Sequence, residues 1–297
     1  MSGDAPIDRK ELKRKQKPAG LFISRMACRG WRERGVTDLS ALDLIKQVIY
    51  NLSVMNLAMF FEGTGQGVAG KVTNVTRLRD LCVEDESQRV HLEPGPGTHF
   101  GAYLFGKVCG ADCRAILRSS RRWFQQNFQS FPATDVYLFG FSRGALLARK
   151  FAEWLEKINV PVKYLGIWDT VDSAMKVDVA EACPKSVVYA RHAVARDERR
   201  RYFQLVPLRL SSARAGEERV FPGVHSDIGG LYDDNHDMAD ATLTWIAEPA
   251  VKRGLRLKPG AELRRGLDPS KLPTHDSFRR ISNLWGLLGS SARKLTR

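Results

Sequence analysis

The 297-residue sequence has no apolar run long enough to cross a bilayer, since a membrane-spanning helix needs about 20 such residues. The most apolar region, residues 39–61, is interrupted by polar side chains and is predicted to form an amphipathic helix followed by a strand. The amino terminus is basic but lacks the apolar core and cleavage site of a signal peptide. We therefore expect cytoplasmic residence in the producing cell, and ordinary secretion is not expected; export by a dedicated delivery machine is left open.

Cysteine is scarce, and its pattern argues against stabilisation by disulfides or by a structural zinc ion. The five cysteines are odd in number and contain no CxxC pair: Cys28, Cys82, Cys109, Cys113 and Cys183. Reduced thiols are favoured over a disulfide framework or a zinc site. Residues 232–237 alternate Asp and Asn as a calcium loop does, but they lack its glycine and its terminal glutamate, so a polar loop before a helix is the better interpretation. We expect no metal and no other cofactor.

Acidic residues are few relative to basic ones. The sequence has 47 Lys and Arg but 33 Asp and Glu, which gives a net charge of +14. Part of the excess lies in two terminal runs, within residues 9–17 and 293–297. Such runs attract anionic lipid headgroups or nucleic acid, and a solvated, disordered tail is an equal alternative. No nucleic-acid-binding motif accompanies the charge, so a phospholipid surface is ranked above nucleic acid, which is not expected as a partner.

The most informative segment is VYLFGFSRGALLARKFAEWL, residues 136–155. An apolar run typical of a buried strand precedes Ser142, and apolar residues at helical spacing follow it. Gly140 and Gly144 flank the serine, as required where a strand turns sharply into a helix and presents a nucleophile. Ser142 is therefore the candidate nucleophile. The alternative is a glycine-rich turn with an ordinary helix-capping serine.

A serine nucleophile needs a carboxylate and a histidine, in that order, downstream. Asp169 ends the apolar run 162–168, where a parallel strand would present catalytic groups; a turn aspartate is the alternative. His225 lies in the glycine-flanked loop FPGVHSDIGG and is the candidate base. The remaining histidines are weaker candidates, because they precede Ser142 or lie in a helical pattern, an acidic loop or the tail: His91, His99, His192, His236 and His275.

An oxyanion hole requires backbone N–H groups on two sides of the serine. Arg143 supplies the N–H directly after it. Residues 57–61 are predicted as the first strand, and the glycine-rich loop that follows offers Gly63 and Thr64 as the second donors. A phosphate cradle is the alternative for this loop, although its spacing fits neither nucleotide-binding motif.

Four stretches, FFEGTGQ with TNVTRL, GFSRGA, GIWDTVDS and FPGVHSDIGG, resemble in order and spacing the α/β-hydrolase family that contains the first class of type VI secretion lipase effectors. The resemblance covers about residues 57–255. It includes HAVARDERR at 192–200, which is similar to a helix of that family. A weaker similarity lies at residues 275–277. Two residues depart from the family pattern: Glu62 replaces an aspartate and Leu231 a glycine.

The resemblance implies that Ser142, Asp169 and His225 form a Ser-Asp-His triad and that the substrates are phospholipids. It also implies secretion machinery and a cognate immunity protein as partners. We thus predict a serine-dependent lipase or phospholipase. Two alternatives stay open: a serine esterase for a soluble ester, and a non-catalytic binding protein with the same fold.

The predicted fold is α/β, an α/β-hydrolase-like mainly parallel sheet with helices on both faces. Residues 1–35 are predicted to form a flexible basic arm and 36–297 a single domain, irregular and basic from about residue 254. Residues 83–110 are predicted as a long loop and a candidate lid. The strands are expected at 57–61, 134–139, 162–168 and 219–222, and the helices near 75–82, 111–129, 143–157, 186–200 and 238–253.

Overall fold

The computed structural model describes residues 54–64, 72–97, 109–130, 134–172, 179–201, 203–211 and 215–277. The proposed basic arm of residues 1–35 and the amphipathic helix expected before residue 53 lie outside these ranges, as do residues 278–297. The division into an arm and one domain therefore stays a prediction. None of the helices in the described ranges combines the length and the apolar character that crossing a bilayer requires.

In the described part of the chain, the centre of the fold is a six-stranded, all-parallel sheet in the order β2-β1-β3-β4-β5-β6. The strands are β1 Met55–Phe61, β2 Gln88–Glu93, β3 Thr134–Phe141, β4 Tyr164–Trp168, β5 Tyr189–Ala195 and β6 Ala215–Phe221. The strand order reverses between β1 and β3. In open α/β sheets ligands bind outside the carboxyl ends of the strands at such a reversal, so the site is expected where β1 and β3 end.

Helices cover both faces of the sheet. They are α1 Asn74–Leu81, α2 Cys109–Ser130, α3 Arg143–Lys157, α4 His225–Gly229 and α5 Asp237–Lys252, with a 3₁₀ turn at Pro269–Lys271. One buried cluster joins the sheet to α2 and α3, and the other joins it to α1 and α5. Along β1 the side chains alternate between these clusters, Leu57 and Met59 on one face and Ala58 and Phe60 on the other. The predicted α/β fold with a parallel sheet is confirmed.

The predicted helix at 186–200 is wrong, because Tyr189–Ala195 is strand β5. The segment contains helix-forming residues, Ala, Arg and Glu, but β5 lies between β4 and β6 and pairs with both. His192 through Ala195 are buried there. Burial on both sides and pairing along both edges outweigh a local helical preference. The charged residues 196–200 lie beyond the strand.

The predicted loop at 83–110 contains a strand that the sequence reading missed. Gln88–Glu93 is β2, the edge strand beside β1, and its middle four residues are only partly buried. An edge strand needs few apolar side chains, which explains why its pattern resembled a loop. Residues 98–108 of the candidate lid lie outside the described residues, so the lid stays a prediction.

Candidate active site

The turn between β3 and α3 holds Ser142 in a rare backbone conformation. Its φ of 58° and ψ of −124° lie where residues with a side chain seldom occur, at a cost of about 1–3 kcal/mol. The backbone N–H of Ser142 donates to the carbonyl of Trp168 at the end of β4 (3.0 Å). The serine is buried and directly follows the carboxyl end of β3.

Both flanking glycines are sterically required. A methyl group added to Gly140 would lie 2.5 Å from the carbonyl oxygen of Gly144, and one added to Gly144 would lie 2.0 Å from the carbonyl oxygen of Phe61. Real side chains do not approach backbone atoms so closely. The two glycines therefore let α3 begin directly against the end of β1.

We expect Gly144→Ala to lower the free energy of unfolding by about 3 kcal/mol, because the added methyl group must displace the backbone of β1. Urea denaturation measures this. Gly260→Ala is the control, since its methyl group would meet nothing within 4 Å and only its φ of 77° opposes the change, costing about 1 kcal/mol. Equal losses for the two variants would contradict the close packing at Gly144.

The structure brings Ser142, Asp169 and His225 together. His225 Nε2 lies 2.9 Å from Ser142 Oγ, and His225 Nδ1 lies 2.5 Å from Asp169 Oδ2. All three residues are buried. Ser142 follows β3, Asp169 follows β4, and His225 is the first residue of the short helix α4 rather than part of a loop. An imidazole in this position can accept the serine proton on one nitrogen while the carboxylate binds the other.

Strand β5 orients Asp169. The Asp169 N–H donates to the carbonyl of Ala193 (2.7 Å), and Asp169 Oδ1 accepts from the N–H of Ala195 (2.9 Å). The second oxygen remains for His225. Asp169 has a φ of 40°, again unusual for a residue with a side chain, so these bonds hold a strained turn in place.

His225 is held by ring contacts and by its own backbone. Phe141 stacks on the imidazole with ring centroids 4.5 Å apart, and Phe203 packs edge-on at 4.9 Å. The His225 N–H donates to Glu198 Oε2 (3.2 Å), and Arg200 pairs with the same carboxylate. Burial would raise the pKa of Glu198, but the hydrogen bonds and charge of Arg200 outweigh it and hold that pKa below its usual value. A second negative charge therefore lies beside the histidine.

Two more carboxylates shape the turn before His225. Asp197 Oδ2 accepts from the N–H of Gly223 (2.7 Å), and Asp227 Oδ2 accepts from the N–H of Val224 (2.9 Å). Asp227 Oδ1 lies 2.5 Å from Nδ1 of His275, the residue that sequence analysis assigned to the tail. The sequence analysis assigned no role in the site to Asp197, Asp227, His275 or Glu198. The acidic residues that follow β5 are the available signal, but the prediction of a helix at 186–200 assigns them to that helix.

The first-strand exit loop also reaches Ser142. A methyl group added to Gly63 would lie 3.4 Å from Ser142 Cβ, and Arg143 is the first residue of α3. The two segments that carry the expected backbone donors therefore both adjoin the serine. However, the Gly63 N–H donates to Glu62 Oε2 (3.1 Å). Residues 65–67 of the loop lie outside the described residues.

The two departures from the family pattern have separate physical consequences. Glu62 is buried and accepts from the hydroxyls of Thr73 (2.7 Å) and Thr76, so it connects the exit loop to the start of α1. Burial raises the pKa of Glu62 even against these hydrogen bonds. Leu231 does not have a positive φ, and its N–H donates to Ser226 O (2.9 Å), so glycine is not needed there.

The family model described as the catalytic domain of the Tle1-like phospholipase effectors of type VI secretion matches residues 55–160 and 150–249. The chain resembles the solved Tle1 effector bound to the VgrG spike, with 20% identity and a TM-score of 0.45 over 61% of this chain and 51% of that one. It therefore spans about half of that effector.

A putative YdeN-like hydrolase from Pectobacterium atrosepticum is 12% identical, with a TM-score of 0.42 over 70% of this chain and 96% of that one. An uncharacterized protein of Saccharomyces cerevisiae is 42% identical over 48 residues, 15% of this chain and 7% of that protein.

Proposed function

This chain belongs to the family of Tle1-like catalytic domains of type VI secretion phospholipase effectors, and from that membership we propose that it hydrolyses acyl esters of membrane phospholipids by a serine mechanism. The observation that carries the proposal is the buried chain of contacts from Ser142 Oγ through His225 to Asp169. Ser142 is the nucleophile, His225 the general base and Asp169 the residue that orients it.

The reaction begins when His225 Nε2 takes the proton of Ser142 and the serine oxygen attacks the ester carbonyl. Asp169 binds Nδ1–H of His225, which keeps Nε2 unprotonated at the start and stabilises the imidazolium that forms. His225 then protonates the leaving alcohol, and an acyl-serine remains. Water, activated by the same histidine, releases the fatty acid.

The negative oxygen of the tetrahedral intermediate is stabilised by backbone N–H groups next to Ser142. Arg143 contributes from the positive end of α3, and the exit loop contributes from Gly63 or Thr64. Because Glu62 already accepts from Gly63 N–H, Gly63 must change partner to act as a donor. Thr64 N–H does not compete with that bond, and we assign the loop contribution to it.

A basic face of α2 supports a phospholipid surface as partner. Arg114, Arg118 and Arg122 are exposed, and their four-residue spacing aligns them along about 12 Å of one helix face. Within the described part of the chain, no salt bridge joins them to a carboxylate. Such a face attracts anionic headgroups.

Replacing Arg114, Arg118 and Arg122 by glutamine is expected to weaken binding to anionic vesicles by about a hundredfold, since each basic residue near such a surface contributes about 1 kcal/mol. Hydrolysis of a monomeric short-chain ester should not change. Vesicle sedimentation measures the binding, and the rates of hydrolysis of the monomeric ester and of vesicle lipid are compared. The control replaces exposed Lys252, Lys258 and Lys271 by glutamine, which removes equal charge elsewhere. Equal weakening by both sets would exclude the α2 face as the docking surface.

Family membership extends the proposal to delivery. We propose export through a type VI machine and, in the producing cell, an immunity protein that blocks the site. The solved Tle1 effector is bound to a VgrG spike, and a corresponding spike is the proposed carrier here.

The proposal is tested by incubating the purified chain with vesicles of phosphatidylglycerol and phosphatidylethanolamine and measuring released fatty acid and lysolipid by mass spectrometry. A fluorophosphonate probe applied in parallel reports whether Ser142 is an activated nucleophile. Lipid release with labelling of Ser142 is the expected result. Labelling without lipid release would indicate an esterase for a soluble substrate. No labelling and no release would overturn the enzymatic proposal.

A further inference from the structure

We infer that His192 is a positioning residue that holds Asp169 in its working orientation through the backbone of Thr170. This inference rests on the proposed function, in which Asp169 orients His225. His192 does not touch Ser142 or the ester. It lies on β5, one strand behind Asp169, and no part of its side chain is exposed to solvent.

Strand β5 anchors the Asp169–Thr170 turn at three points. Ala193 O accepts from Asp169 N–H, and Ala195 N–H donates to Asp169 Oδ1. The third anchor is His192 Nε2, which lies 3.1 Å from the backbone nitrogen of Thr170 and accepts from it, and which also lies 3.1 Å from the Oγ1 of the same residue. The first two anchors are backbone groups, whereas the third is a side chain and can be changed by substitution.

The contacts determine which ring nitrogen of His192 carries the proton. A backbone N–H can only donate, so Nε2 must be the unprotonated nitrogen that accepts from Thr170. Nδ1 then carries the hydrogen and donates to Glu218 Oε2, 2.8 Å away. The same Glu218 oxygen accepts from the N–H of Leu208 (2.6 Å). Glu218 thus maintains the tautomer that Thr170 requires.

The turn needs such an anchor because its conformation is unfavourable by itself. Asp169 has a φ of 40°, and strained residues persist only where their surroundings hold them. Thr170 is buried, so its N–H would have no water to replace His192. Without this bond the turn loses its side-chain anchor on β5, and we expect the Asp169 carboxylate to shift relative to His225. A displacement of about 1 Å at a catalytic group can lower the rate about a hundredfold.

Two substitutions separate the contacts of His192. His192→Gln places an amide oxygen near the position of Nε2, where it can accept from Thr170. His192→Asn is shorter, so it keeps a donor for Glu218 but does not reach Thr170. We expect His192→Asn to lower kcat on a short-chain ester about 10- to 100-fold with an unchanged KM. His192→Gln should recover most of this loss. Equal loss in the two variants, or a rise in KM without loss of kcat, would overturn the inference.

A double-mutant cycle distinguishes positioning from general support of the core. If His192 acts through Asp169, His192→Asn should have little further effect on kcat once Asp169 is already asparagine. A structural role would instead lower the rate by the same factor in both backgrounds. Melting temperatures of all four proteins establish that each is folded.

Histidine ¹⁵N NMR of the unmodified chain tests the inference even where the variants fail to fold. The expected signal for His192 is a neutral ring protonated at Nδ1, and protonation at Nε2 would overturn the inference. The fluorophosphonate labelling rate distinguishes failure of the proposed function from failure of this inference alone. If the unmodified chain is not labelled, the proposed function and this inference both fail. If it is labelled but His192→Asn is labelled equally fast, only the inference fails.

Discussion

Ser142→Ala is expected to lower kcat on a short-chain ester by about a thousandfold or more, with loss of fatty-acid release from vesicles. The hydroxyl 2.9 Å from His225 Nε2 is the proposed nucleophile, and alanine leaves the rest of the site unchanged. The remaining rate reflects attack by water in a site that still binds the ester and stabilises the oxyanion. Steady-state kinetics measures the loss of kcat, and mass spectrometry of the released fatty acid measures the loss on vesicles. Probe labelling reports whether a reactive serine remains.

Ser142→Gly is the informative companion variant. It should be as inactive as the alanine variant. Its free energy of unfolding should exceed that of the alanine variant by about 1 kcal/mol, because glycine adopts a φ of 58° without the strain that a side chain imposes. Ser270→Ala, which changes an exposed serine of the 3₁₀ turn, serves as the control and should keep full activity. If Ser142→Ala keeps the rate of the unmodified chain, Ser142 is an ordinary turn residue and the proposed mechanism is wrong.

Asp169→Asn is expected to lower kcat by about ten-thousandfold while leaving the fold intact. Asparagine has almost the same shape, and its oxygen can still accept from Ala195 N–H. Its amide group then faces His225 Nδ1 and can only donate to it. This forces the histidine proton onto Nε2, which can no longer accept the proton of Ser142.

The measurement combines kcat with the histidine tautomer seen by ¹⁵N NMR. The expected pair of results is a lost rate together with protonation of His225 at Nε2. Asp268→Asn, at an exposed turn, is the control for replacing an aspartate and should leave both observables unchanged. A rate within tenfold of the unmodified chain would mean that Asp169 only shapes its turn.

Sequence reading succeeded where the signal was local and failed where it was not. The strand, turn and helix around Ser142 were predicted because apolar runs and flanking glycines lie within twenty residues of each other. Strand β5 was predicted as a helix and β2 as a loop. The first error arose because pairing with β4 and β6 outweighs local preference, and the second because an edge strand carries little apolar pattern.

By itself the sequence determined the parallel α/β sheet, the glycine-flanked turn at Ser142 and the order of serine, aspartate and histidine along the chain. These follow from periodicity and from the sterics of neighbouring residues, which are properties of short segments. Only the tertiary structure decided which groups surround the three residues. His225 meets Ser142 across 83 residues and Asp169 across 56, while Glu198, His275 and His192 reach their partners from separate elements. Such contacts depend on how strands pair and pack, and no local pattern encodes them.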